Sequence, residues 1–291
     1  MTPNESSAAA NADQSDPPPP APARLTPRER ATPIAISVLS TTVVLGLVIW
    51  WVGSSEQWPR VQRQFFSWQS MKDSFPDVLG GFWVNMKVWV IAEILILIVA
   101  LILAVMRSTT GPLLAPLRFF SVVYIDFLRG IPSLLLILLL GFGVPALQLN
   151  GLPKGALFWG TVALVAGYSA YTAEVYRAGM TSVHDGQRAA AKALGLNQWQ
   201  TMRYAVIPQA IRNVGPALLN GAVSLQKDVA LLSIIGIRDA VREAQIIKDR
   251  TFNYSPLIVA AALFLIASVP LARFTDWYAK RDQDRRLQRT R

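Results

Sequence analysis

Lys227 and Asp228 stand side by side in SLQKDVALLSIIGI, a stretch otherwise apolar enough to lie in hydrocarbon. Ionisable groups inside such a segment are costly and are functional candidates by default. Adjacent residues on a helix point about 100° apart, so these two cannot simply neutralise each other. Each needs a counter-group on another element, or a watery cavity. Asn220, Ser224 and Lys227 recur at helical spacing and give the segment a polar stripe. Two readings stay open: an inter-helix ion pair that fixes packing, and a lined polar path or gate. Glu93, isolated in VWVIAEILILIVALILAVM, poses the same choice. Asp126 with Arg129, and Glu174 with Arg177, are spaced i,i+3 and are expected to form local pairs or to contact headgroups near the cytoplasmic membrane surface. His184 reads as a solvated loop residue.

Other chemistries are excluded by composition. The chain has no Cys and one His, so disulfides, thiol catalysis and His-cluster metal sites are ruled out. No Gly-rich loop ends in Lys-Ser or Lys-Thr, so ATP is not expected to bind by that route. The sequence offers no catalytic, cofactor-binding or metal-ligating set, and is read as a non-enzyme. Of the 291 residues, 52% are hydrophobic and 16% charged, against about 25% charged in soluble domains. That deficit indicates an integral membrane protein.

The apolar runs predict an all-α fold with six transmembrane helices. Residues 1–33, rich in Ala, Ser and Pro, read as a disordered tail. Residues 34–53 then form a first span, set apart from the rest. A signal peptide is the alternative, but the run ends in Trp50-Trp51 rather than a small-residue cleavage site. A polar connection is expected over 53–81, and five further spans at about 88–106, 119–147, 156–176, 213–235 and 256–271. A break is expected at Arg129-Gly130-Ile131-Pro132, since proline lacks an amide donor and disfavours helix before it. Residues 276–291 read as a basic tail.

Placing both termini on one side puts about twice as many Lys and Arg there as on the other. The positive-inside rule then makes the termini and the 181–212 segment cytoplasmic. Cationic ends around apolar spans account for most of the +10 net charge.

Within that segment, GQRAAAKALGLNQW (186–199) is soluble in character. Asp185 or Gly186 could cap a helix, and Gly195 suits a left-handed terminus. A second short helix is expected from Asn197 to near Pro208. Helix, turn and helix also describe a DNA reader. However, both ends feed membrane spans, and four cations over 181–212 are thin for phosphate neutralisation. No nucleic acid is expected. A docking surface for a cytoplasmic partner fits better, with Ala residues permitting close approach and Leu194, Leu196 and Trp199 as apolar anchors.

GQRAAAKALGLNQWQTMRYAVIPQAIR resembles the coupling loop of bacterial ABC importer permeases, with Ala190, Ala191, Gly195 and Pro208 on that pattern. DFLRGIPSLLLILLLGFGVP, AYTAEVYRAGMTSVHDGQ, SLQKDVALLSIIGI and REAQIIKDRTF are similar, in order, to segments of polar amino acid permeases. The resemblance covers roughly residues 80–280 and implies a five-helix permease core over 80–275. It further implies an ATPase-coupling surface comprising Gly186, Gln187, Ala190, Ala191, Leu194, Gly195, Leu196, Trp199 and Pro208. Expected partners are an ATPase dimer, which would carry ATP and Mg, a second permease subunit, an external amino-acid-binding protein and the lipid membrane. Three departures stand out: Ala189 replaces the motif's Glu, Ile207 replaces Leu and Ala205 replaces Ile. The alternatives are an ion-gradient-driven transporter or channel and a membrane-tethered regulator. The first has no need of a docking unit.

Overall fold

The computed structural model describes residues 27–109 and 111–289, and the regular elements among them are all helical. The chain divides after Pro59 into two units. In the first, α1 (Pro27–Gly53) starts inside the stretch read as tail; residues 1–26 lie outside the described residues. Its span Ile36–Gly53 buries nothing within the chain. A helix apolar all round suits a lipid environment.

The second unit begins within α2 (Trp58–Phe65) and holds α3 (Trp68–Arg107), α4 (Ala115–Gly130), α5 (Ser133–Leu138), α6 (Val144–Ala146) and α7 (Ala156–Thr181). Then come α8 (Asp185–Ala193), α9 (Gln198–Gln200), α10 (Ile207–Asp228), α11 (Ala240–Thr251) and α12 (Ser255–Arg289). Leu139–Gly143 and Thr201–Val206 are wider π-type turns, and Val229–Ile235 is a tighter 3₁₀ stretch.

Helix α3 is 40 residues long and begins where a connection was expected. The Ser67 hydroxyl caps it by accepting from the Ser70 amide, while the Ser67 amide donates to Ser255 Oγ at 2.9 Å. The helix passes through Pro76, and Val78 two residues on is fully buried against Ala240 and Ala244 of α11. That packing holds the turn. The expected break at Pro132 is present: α4 and the α5–α6 segment meet at 104°, with Ile131 extended. Pro208 does not end a helix. It lies in the first turn of α10, where a missing amide costs little, directly after the π-type turn. Likewise α12 runs through Pro270 to Arg289, so the segment read as a tail continues a helix.

By length and apolarity, four described helical stretches can cross a membrane, or five if the bent pair counts as one. Helix α7, read as the fourth span, is outside that set. It has the length, at 26 residues, but on its buried face small residues, from Gly160 and Ala163 to Ala173 and Gly179, outnumber Leu164, Tyr176 and Met180. It is the central helix, packing on α3, α4, α5 and α10.

Side-chain bonds fix which ends lie together. Arg107 meets Glu174, Asn213 meets Ser182, and Gly215 lies under Tyr278, gathering the ends of α3, α7, α10 and α12 beside α8. At the opposite end Asn85 meets Asp239, and the 63–67 segment is stitched to Asn253, Tyr254 and Ser255.

Gly81 makes the second end possible. A Cβ there would lie 2.5 Å from the Asp239 carbonyl carbon, and backbone cannot yield. Its neighbour Gly80 faces open space. Gly81→Ala should therefore destabilise the protein by about 1–3 kcal/mol. Gly80→Ala should be neutral or gain up to about 1 kcal/mol from helix propensity. Thermal unfolding of the two variants in detergent checks the contrast, and equal behaviour would contradict this packing.

Candidate translocation path and coupling surface

The buried face of α10 presents Ala222, Val223, Leu225 and Gln226 to the core. Leu225 joins Val229 and Leu232 in a cluster with Ala92, Ile96 and Leu164 of α3 and α7. Trp89 of α3 donates its indole N–H to the Ala222 carbonyl at 3.0 Å. With that face committed, the stripe of Asn220, Ser224 and Lys227 turns away from the chain's own core. Asn220 and Lys227 are exposed and Ser224 is half-buried. Ser224 donates to the Asn220 carbonyl at 3.2 Å.

The charged pair is split as its spacing requires. Asp228 accepts a 2.7 Å hydrogen bond from the Tyr168 hydroxyl of α7, a partner that no sequence signal singled out. Lys227 makes no hydrogen bond or ion pair among the described residues. It lies fourteen residues beyond Asn213, about 21 Å along the helix and so within the depth of a bilayer core of about 30 Å. Directly after Asp228 the backbone tightens from α to 3₁₀ geometry, which ends at the left-handed Gly236. Such a change inside a helix is a place for a hinge. Glu93 is half-buried and also has no ion-pair partner among the described residues. Gln226 lies on the buried face of α10 beside Lys227. Its Oε1 accepts from Ser268 of α12, while its Nε2 is buried without a partner among the described residues.

Charges near the other end are neutralised within the chain. Glu174 takes Arg107 at 2.7 Å and Arg177 at 2.8 Å, so the expected Glu174–Arg177 pair is present and is joined by α3. The expected Asp126–Arg129 pair is absent. Asp126 faces Arg107 at 4.0 Å, and Arg129 lies over the Tyr171 ring at 5.5 Å, because α7 offers an aromatic face there. Beyond the spans, at the opposite end, Asn85 and Asp239 are both buried and bonded at 3.0 Å. Burial holds the Asp239 carboxyl above its ordinary range, although the Arg242 amide and Asn85 donate to it. Glu243 hydrogen-bonds Arg238 and raises that guanidinium further.

Helix α8 is tied firmly to its own chain. His184, not Asp185 or Gly186, is its N-cap: its Nδ1 accepts from the Gly186 amide at 3.0 Å. Arg188 reaches back to the Met180 carbonyl at 2.6 Å, and Ala191 is buried. Gly195 has φ +78°, and the Leu196 amide returns to the Ala191 carbonyl at 3.2 Å, closing the helix end. Asn197 and Gln200 then cap each other reciprocally. Gly186, Gln187, Ala190 and Pro208 are exposed, and Leu194 and Trp199 are 82% and 59% exposed. Leu196 is half-buried. Ala191 is thus part of the support of this unit, not of its surface.

A helical membrane core, bent at Pro132 and carrying an exposed helical unit between α7 and α10, is the architecture of an importer's membrane subunit. The family described as "Binding-protein-dependent transport system inner membrane component" matches residues 111–282, and the chain belongs to it. It is a multi-pass ABC importer permease, a transport component and not an enzyme. Members of this family work with a substrate-binding protein and a separate ATPase. The arginine transport system permease protein ArtQ of Bacillus subtilis is 32% identical over 192 residues, 66% of this chain and 85% of its own. The glutamate/aspartate import permease protein GltK of Escherichia coli O6:H1 is 31% identical over 222 residues, 74% of this chain and 98% of its own. A crystal structure of an amino acid ABC transporter with histidines aligns with TM-score 0.65 at 32% identity. The alignment covers 74% of this chain and 98% of that one. A subunit of the MetNI methionine ABC transporter shares the fold at 15% identity and TM-score 0.57.

Tyr168→Phe should leave the Asp228 carboxylate short of its donor at a cost of about 1–3 kcal/mol. That corresponds to a fall of a few degrees, roughly 2–4 °C per kcal/mol, in the thermal midpoint. Asp228→Asn, which keeps an acceptor for Tyr168, should fall less. The reverse order would remove the bond from the account.

Proposed function

We propose that the chain is one half of the passage of an ATP-driven importer for a polar amino acid, with Asn220, Ser224, Lys227, Asp228 and Glu93 lining or gating it. The observation that carries this reading is Lys227: an exposed ammonium at membrane depth with no counter-charge among the described residues. A group so placed is met by water, by a second permease subunit or by a passing anion. A zwitterion in a low-dielectric passage needs compensation for both its charges, and Lys227 and Glu93 supply one of each sign. Relatives named for arginine and for glutamate/aspartate transport support an amino acid and disagree on its charge. Six crossings result if α7 and the bent pair each count as one.

Both termini and α8 are cytoplasmic in this reading, and ATP and Mg reside in an ATPase pair beneath. Closure of that pair moves the exposed face of α8 with Leu194, Gly195, Leu196 and Trp199. The contacts at Gly179 and Asn213 pass the movement to α10, shifting the passage between two states.

Two measurements test the parts separately. In vesicles holding the whole complex, Lys227→Ala and Asp228→Ala should each lower uptake about tenfold, the loss of about 1.4 kcal/mol of charge compensation. Co-purification of the ATPase should not change. Unaltered uptake in both would refute the path. Ala190→Asp, on an exposed and unbonded face, should instead release the ATPase while membrane insertion persists. Gly195→Trp should act in the same direction with added backbone strain, since φ is positive there. Normal co-purification with both variants would refute the coupling surface. Uptake abolished by vanadate and not by an uncoupler separates this importer from a gradient-driven carrier.

A further inference from the structure

Between α3 and α7, at the end away from α8, lies an open groove of about 590 Å³. Val88, Ile91 and Leu95 form one wall, and Leu157, Thr161 and Val165 the other. The one side-chain hydroxyl among them, on Thr161, is already donated to the Leu157 carbonyl at 2.7 Å. The groove therefore offers no free polar group along its length.

Its rim is different. Pro153 and Gly155 line the mouth, and between them in sequence stands Lys154, exposed and without a hydrogen bond or ion pair among the described residues. Trp159 donates its indole N–H to the Pro153 carbonyl at 2.7 Å and packs edge-on against Phe158 at 5.2 Å. Tryptophan and lysine together mark the headgroup level of a bilayer. From Val88 to Leu95 the wall extends about 10 Å, most of one leaflet's ~15 Å of hydrocarbon.

We propose that this groove is a phospholipid site, holding an acyl chain with an anionic headgroup at Lys154. The apolar walls select the chain, and the unpaired ammonium at the mouth selects the charge. The site requires only that this core spans a membrane and is independent of the transported substrate. One lysine near a headgroup contributes about 1 kcal/mol, so the preference for an anionic over a zwitterionic lipid should be about fivefold.

The test counts lipids on the intact complex, full-length chain with its ATPase, by native mass spectrometry in detergent. Phosphatidylglycerol and phosphatidylcholine with the same acyl chains are added in turn. The wild type should retain phosphatidylglycerol about fivefold more tightly. Lys154→Gln, an exposed change that leaves the core alone, should abolish that preference while phosphatidylcholine binding persists. Thr161→Phe should weaken both lipids by filling the groove. A preference that survives Lys154→Gln would overturn the proposal, as would equal binding of both lipids to the wild type. The chain has no cysteine, so Ile91→Cys gives a clean probe. A disulfide between two copies at that position would put protein, not lipid, in the groove and would also overturn it.

Discussion

The close approach of α7 to its neighbours governs the rest of the second unit. A Cβ at Gly179 would lie 2.8 Å from the Ala210 carbonyl oxygen and 2.7 Å from Val214, so the α7 and α10 backbones touch there. Without the hydrophobic effect to drive helices together in lipid, association depends on such close packing. Small residues at Gly160, Ala163, Gly167, Ala170 and Ala173 extend up the helix, where Gly160 meets Leu232 and Ile235 and Gly167 meets Leu136 of α5. The same choice of residues lowers the hydropathy of α7. The helix most protected from lipid is thus the one that looks least like a span.

That contact also sets what can move as a body. The polypeptide leaves α7 at Thr181, forms α8 and α9, and re-enters as α10, whose first turns lie against Gly179 and Ser182. A displacement of α8 cannot be absorbed at this crossing, because backbone meets backbone. The next change of geometry along α10 is the 3₁₀ stretch after Asp228. Between the two, the stripe of Asn220, Ser224 and Lys227 rides on unbroken helix.

The sequence carried the features that depend on one residue's local chemistry. Pro132 bends the chain by 104°, and Gly195 turns left-handed, because backbone sterics act whatever surrounds them. Lys227 and Asp228 were separable by helix geometry alone. Features decided by packing were not legible. Pro76, Pro208 and Pro270 all sit inside helical stretches, because neighbouring helices or a wide turn determine the outcome there. Asp126 has Arg129 at ideal spacing yet faces Arg107, since α3 brings a guanidinium and α7 brings the Tyr171 ring. Tyr168 carried no signal as the partner of Asp228, being one hydroxyl among several in an Ala- and Gly-rich helix.

The distribution of satisfied and unsatisfied groups separates scaffold from surface in the proposed coupling unit. Much of its polar bonding is made within the chain: the Gly186 amide to His184, Arg188 to Met180, Asn197 with Gln200. Its outward surface carries Ala189, Ala190, Leu194 and Trp199, with the exposed charges of Asp185 and Lys192 beside them. Where the related motif carries a glutamate, Ala189 is exposed and offers no charge to a partner. Apolar contacts are short-ranged and little affected by salt, whereas an exposed ion pair is screened over about 8–10 Å at physiological ionic strength. In the proposed docking, contact at Ala189 therefore relies on shape and not on charge. The internal hydrogen bonds that hold α8 rigid do for affinity what a carboxylate would otherwise do: they remove the ordering cost before the partner arrives.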